Sequence, residues 1–107
     1  MMIIYNVTVN VDESIHDEWL EWIKNHIPEV LATGKFMDAR LTKVLVEEEE
    51  GITYAIQYKA FSREALDDYY KNDADRLKSD GLKRFSDKML AFRTELEIID
   101  EYNVTFK

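Results

Sequence analysis

The chain has 107 residues, 46% apolar and 34% charged, with only 3 glycines and 1 proline, which fits one compact domain over 1–107, too short for two cores and too apolar for a disordered tail. Its 14 basic and 22 acidic residues leave a formal charge of −8, which repels phosphate backbones and anionic membranes and argues against nucleic acid and membrane partners. Cysteine is absent, which excludes disulfides, thiolate nucleophiles and cysteine metal sites and makes the cytoplasm the expected location.

The first residues, Met1 to Asn6, carry no basic leader region, and no stretch is apolar for long enough to cross a bilayer. Residues 2–11 are predicted as a strand, because Ile3, Tyr5, Val7, Val9 and Val11 alternate with Ile4, Asn6, Thr8 and Asn10. Ser14 is the expected N-cap of a long amphipathic helix, with Asp17 as a weak capping-box partner. Its apolar stripe runs through Ile15, Trp19, Trp22, Ile23, Ile27 and Val30; an interruption is expected near Pro28 and a stop at Gly34.

Strands are predicted over 36–46 and 52–60, joined by a tight exposed hairpin at residues 47–51. Met37, Ala39, Leu41 and Leu45 share one face of the first, and Ile52, Tyr54, Ile56 and Tyr58 one face of the second. Ser62 caps the second helix, whose stripe is Leu66, Tyr69, Tyr70, Ala74 and Leu77, and Gly81 is expected to divide it from a short turn holding Leu82 and Phe85. The last strand starts near Met89, with Leu90, Phe92, Leu96 and Ile98 on its apolar face and Ala91, Arg93, Glu95 and Glu97 opposite. A near-repeat of Tyr5-Asn6-Val7-Thr8-Val9 at Tyr102-Asn103-Val104-Thr105-Phe106 reads as chance similarity, with a further tail strand as the alternative.

This βαββαβ order predicts an α+β, ferredoxin-like sandwich in which two helices cover one face of an antiparallel sheet. The opposite face is neutral at its middle, at Thr8, Thr42, Val44, Ala55 and Gln57, so a second copy is expected to cover it and form a homodimer. Thr8, Arg40, Gln57 and Arg93 are the expected interface residues, Arg93 because alternation turns it away from the helices.

Trp19-x-x-Trp22, His26-Ile27-Pro28-Glu29-Val30 leading to Thr33-Gly34-Lys35-Phe36, Tyr54-Ala55-Ile56-Gln57-Tyr58 and Phe92-Arg93-Thr94 extend over almost the whole chain. Taken together they resemble an uncharacterised family of small bacterial proteins, a domain of unknown function in the dimeric α/β-barrel superfamily. The resemblance implies a ferredoxin-like protomer packed sheet to sheet on its twin, and it brings no reaction or catalytic residue with it.

His26 is the candidate catalytic residue, because Pro28 leaves the Lys24 carbonyl without its usual donor and opens the helix beside the imidazole. The plainer reading is that His26 caps helix carbonyls or folds against Trp22. Trp22, His26, Tyr54, Tyr58 and Tyr69 are the candidate ligand-binding residues, with Tyr5 and Trp19 in the same layer; the alternative is an aromatic core whose hydroxyls find backbone partners. No metal site or cofactor is expected: His16 and His26 are not spaced as a zinc pair, and the second helix offers no histidine for haem, while Asn6 points away from the helices. RNA recognition of the kind this topology supports is disfavoured, because Glu50 precedes Gly51 and Gln57 takes an aromatic stacking position. The expected function is a homodimeric small-molecule-binding or interaction module. The alternative is a small enzyme, monooxygenase- or isomerase-like by superfamily analogy, that needs His26, Tyr54 and Tyr58 to meet in the cleft between helices and sheet.

Overall fold

In the computed structural model, which describes residues 2–47 and 50–105, the alternating residues of the first segment form β1 (Ile3–Val11), the central partner of the sheet. It is followed by α1 (His16–Leu31), β2 (Phe36–Lys43), β3 (Ile52–Ala60), α2 (Arg63–Asn72), α3 (Ala74–Phe85) and β4 (Met89–Glu97). The four strands pair antiparallel in the order β2-β3-β1-β4. This is the ferredoxin-like arrangement, with all helices on one face.

That face carries the core. Tyr5, Val9, Val11, Tyr54, Ile56 and Tyr58 are buried against Trp19, Ile23 and Val30 of α1, Leu66 and Tyr69 of α2, and Leu77 and Phe85 of α3. Each full burial of a side chain of this size contributes about 1.5–3 kcal/mol. A bulge between Phe36 and Asp38 shifts the register of β2, so Phe36 joins Ala39 and Leu41 on the helix side.

Several local expectations are corrected. The cap before α1 is Asp12, whose carboxylate accepts from the Ser14 backbone N–H and hydroxyl, so Ser14 is a donor within a single 3-10 turn. Pro28 does not interrupt α1. It lies in the last turn, where only the bond to the Lys24 carbonyl is forfeited, and its own carbonyl accepts from Ala32 at 2.9 Å. The helix ends at Leu31, and Gly34, which adopts φ +81°, lies three residues beyond it in the turn that leads to β2.

The second helical region divides at Asp73, where the backbone leaves helical geometry (φ −123°). Gly81 lies inside α3, pressed against the Trp22 indole. Ser62 caps α2 as predicted, its hydroxyl accepting from the Ala65 N–H at 3.0 Å. β2 ends at Lys43 and not at 46, and Leu45 is exposed instead of facing the core; Glu48 and Glu49 of the expected hairpin lie outside the described residues. Residues 98–105 form no strand, and Phe106 also lies outside the described residues.

The largest correction concerns β4. Val7 pairs with Arg93 and Val9 with Ala91, and residues opposite one another share a face of the sheet. Ala91, Arg93 and Glu95 therefore face the helices, whereas Leu90, Phe92 and Leu96 lie on the open face at 64%, 65% and 42% exposure. Ile98 falls beyond the strand.

Candidate functional site

The helices cover the sheet unevenly: α1 packs on β2, α2 on β1 and β3, and α3 against the other helices. Under α1 and α3, above β1 and the uncovered side of β4, a cavity of about 210 Å³ remains. Val7, Val9 and Ile56 form its floor, Trp19, Trp22 and His26 one wall, and Lys78, Gly81 and Leu82 the other. Met89, Ala91 and Arg93 lie along its β4 side.

Gly81 is what lets α1 and α3 approach here. A Cβ at this position would lie 2.5 Å from Cη2 of Trp22. The indole is held from other sides too: its N–H donates to Asp80 Oδ2 at 2.8 Å, and His26 stacks on it at 4.5 Å between centroids. Trp22 and His26 also line a second groove between α1 and α3, with Glu18, Glu21, Glu29 and Asp80, so the stacked pair is the wall between an acidic groove and the cavity.

Burial lowers the pKa of His26 from 6.5, and Glu29 and Asp80 oppose the shift only in part, so the imidazole is neutral at pH 7. Tyr58 and Tyr69 are pushed well above the usual phenol range, chiefly by burial. Tyr5 is raised by burial as well, against the pull of Arg93, whose Nε donates to the Tyr5 hydroxyl at 2.9 Å. Among the described residues no carboxylate lines the cavity.

Of the residues expected to bind a ligand, Trp22, His26, Tyr58 and Tyr69 line this cavity. Tyr54 does not. It faces the helices farther along β3, where its ring stacks on His16 and its hydroxyl lies 2.6 Å from His16 Nε2. His26, Tyr54 and Tyr58 therefore do not converge. Thr8, Arg40 and Gln57 lie on the open face, with Arg40 and Gln57 opposite one another in adjacent strands. Arg93, expected among them, lies on the helix side and lines the cavity, because its register with Val7 overrides the face inferred from apolar alternation. Gly81 and Lys78 carried no local signal of their place in the site; a β1–β4 register would have found Arg93.

Beside the cavity, Arg63 donates to both oxygens of Glu95 at 2.7 and 3.0 Å, and the Tyr70 hydroxyl donates at 2.6 Å. Arg63 first and Tyr70 second hold the Glu95 carboxyl at about 2, below its ordinary 4.5. A carboxylate with a depressed folded pKa contributes stability that is complete above pH 4.5 and is lost as the pH falls toward 2. Glu95→Gln is therefore expected to flatten the acid limb of a Tm-versus-pH curve within that window. With the side chain 39% exposed, solvent screening keeps the effect below about 1 kcal/mol. An unchanged acid limb would show that the cluster contributes nothing to the folded state.

A family described as "Domain of unknown function (DUF4286)" matches residues 2–99. No curated protein matches the chain. Among solved structures, a dimeric ferredoxin-like protein from an uncultured marine organism is similar at TM-score 0.74 and 9% identity, over 94% of this chain and 98% of that one. A variant of SnoaB, a cofactor-independent oxygenase from Streptomyces nogalater, is similar at 0.70 and 9%, over 94% and 95%. A variant of MhuD with two manganese protoporphyrin IX molecules per active site is similar at 0.73 and 16%, over 95% and 99%. At these identities the likeness is one of fold.

Proposed function

The chain belongs to the DUF4286 family, a domain of unknown function, and we propose that it is a homodimeric, cytoplasmic module whose cleft binds a small molecule. The observation that carries the binding role is the cavity of about 210 Å³ where Trp22, His26, Tyr58 and Tyr69 meet Arg93 over an apolar floor. Few convergent polar groups in a mainly apolar concavity is the usual make-up of a ligand site.

The dimer is supported by the open face. Leu90, Phe92 and Leu96 are exposed there beside the neutral Thr8, Ala55 and Gln57, and the fold neighbours include a dimeric ferredoxin-like protein. Four strands about 4.8 Å apart, three of nine residues and one of eight at about 3.4 Å each, present roughly 600 Å². Two such faces reach about 1,200 Å², the lower bound of stable interfaces. Thr8, Arg40 and Gln57 remain the proposed contacts; Arg93 belongs to the cavity.

Native mass spectrometry of the purified protein tests both parts. The expected spectrum is a dimer carrying a retained small molecule, and Ala91→Phe, which fills the cavity from β4, should shed the adduct and keep the dimer. A monomer at working concentration would remove the dimer. An adduct retained at full occupancy by Ala91→Phe would place the ligand elsewhere.

The likeness to a cofactor-independent oxygenase favours a second reading, catalysis in the same cleft. There the neutral His26 is the group available to accept a proton, without Tyr54. The porphyrin of the other neighbour does not fit: about 210 Å³ is less than the roughly 300–1,000 Å³ of sites for drug-sized ligands, and a macrocycle is larger still.

A further inference from the structure

We infer that the ligand of this cavity is an organic monocarboxylate on a flat ring system of one or two rings, with its carboxylate taken by Arg93. This rests on the cavity being a ligand site and goes further by naming what enters it. In a chain with 22 acidic and 14 basic residues, the charged residues lining the cavity among those described are Arg93 and Lys78, with no Asp or Glu. A cavity of one sign inside a protein of the other marks a charge the site selects.

Arg93 is also free to take it. Arg40, Arg63 and Arg76 each face a carboxylate. Arg93 donates through Nε to the Tyr5 hydroxyl and forms no ion pair among the described residues. Its nearest acid along the strand face, Glu95, is already committed to Arg63 and Tyr70. Nη1 and Nη2 keep the planar fork that matches two carboxylate oxygens, and the Tyr5 contact fixes the plane of that fork. Lys78 adds positive charge at the opposite wall, where its one ion pair among the described residues is a loose 3.7 Å contact to the exposed Asp75.

The remainder of the cavity selects a flat apolar body. Val7, Val9, Ile56 and Leu82 offer no polar atoms, and the Trp22 and Tyr58 rings supply aromatic surface. Trp19 lines the same space, is 1% exposed, and its indole N–H has no acceptor among the described residues. A ligand carrying an acceptor away from its carboxylate would satisfy this donor, since a buried unpaired N–H costs stability.

Two probes of one shape and different charge, 2-naphthoate and 2-naphthamide, test the inference by calorimetric titration, with tryptophan fluorescence as a second readout. Wild-type protein is expected to bind the carboxylate about tenfold or more tightly than the amide. Arg93→Gln should level the two by weakening only the carboxylate, and Arg93→Lys, which keeps the charge without the fork, should fall between. Equal affinities in the wild type, or a preference that survives Arg93→Gln, would overturn the carboxylate assignment and leave the cavity as a ligand site. Saturation by neither probe would overturn the assignment together with the binding role.

Discussion

Gly81→Val is expected to lower stability by about 2 kcal/mol, a fall in Tm of about 8 °C or more for a domain of this length. The added Cβ alone would sit 2.5 and 2.7 Å from Cη2 and Cζ2 of Trp22, inside van der Waals contact. Relief requires moving the indole, and three partners oppose that: the Asp80 hydrogen bond, the His26 stack and the edge of Phe85 at 6.1 Å. Replacing a helical glycine would otherwise gain up to about 1 kcal/mol of propensity, so the sign of the result decides whether packing or propensity controls the position. A double-mutant cycle with Trp22→Ala makes the cause explicit. With the indole gone the valine has room, and the double variant should be clearly less destabilised than the sum of the single ones. Strict additivity would show that the two residues do not compete for the same space. Because Trp22 and His26 wall the cavity, the valine variant should also bind ligand more weakly than wild type.

Leu90→Glu combined with Phe92→Glu is expected to convert the proposed dimer to a monomer, read by light scattering as a change from twice 12.7 kDa to 12.7 kDa. Both side chains lie on the open face of β4, at 64% and 65% exposure in the protomer, so charging them costs the isolated fold little. In a sheet-to-sheet dimer the same carboxylates would be buried without partners. An unpaired buried charge costs several kcal/mol, enough to dissociate an interface near 1,200 Å² in total area. Circular dichroism should remain that of the wild type. A variant that stays dimeric would place the interface away from this face, and the apolar tail residues Ile99, Tyr102 and Val104, also exposed, would be the next surface to charge.

Much of the protomer was legible in the chain. The alternation of Ile3, Tyr5, Val7, Val9 and Val11 led to β1 with the right face inward, Ser62 led to the start of α2, and the Trp19–Trp22–Ile23 spacing led to the buried stripe of α1. Among the residues that line the cavity, Trp22, His26, Tyr58 and Tyr69 were legible as inward-facing, since each lies on an element whose inward face is marked by its apolar neighbours. Tyr54 shares the inward face of β3 but lies too far along it to reach the cavity, a distance along the strand that alternation does not encode. Pro28 and Gly81 misled for one reason. Each has a strong average effect on a helix, and each lies where tertiary context removes that effect: Pro28 in a last turn with few bonds to lose, Gly81 under an indole that requires a residue without a side chain.

The sequence by itself determined the four strands and the order of strands and helical regions, though not the split of the second helical region into α2 and α3 at Asp73, because propensity and periodicity act between residues a few positions apart. Only the tertiary structure decided which way β4 faces. Its two alternating sets, Leu90, Phe92 and Leu96 against Met89, Ala91 and Arg93, are both partly apolar, so no local pattern separates inside from outside. Pairing with β1 settles it, through contacts such as Arg93 to Tyr5, separated by 88 positions in the chain. That one register choice sends three apolar side chains to the open face and a guanidinium into the cavity, because a step of one residue along a strand exchanges its two faces.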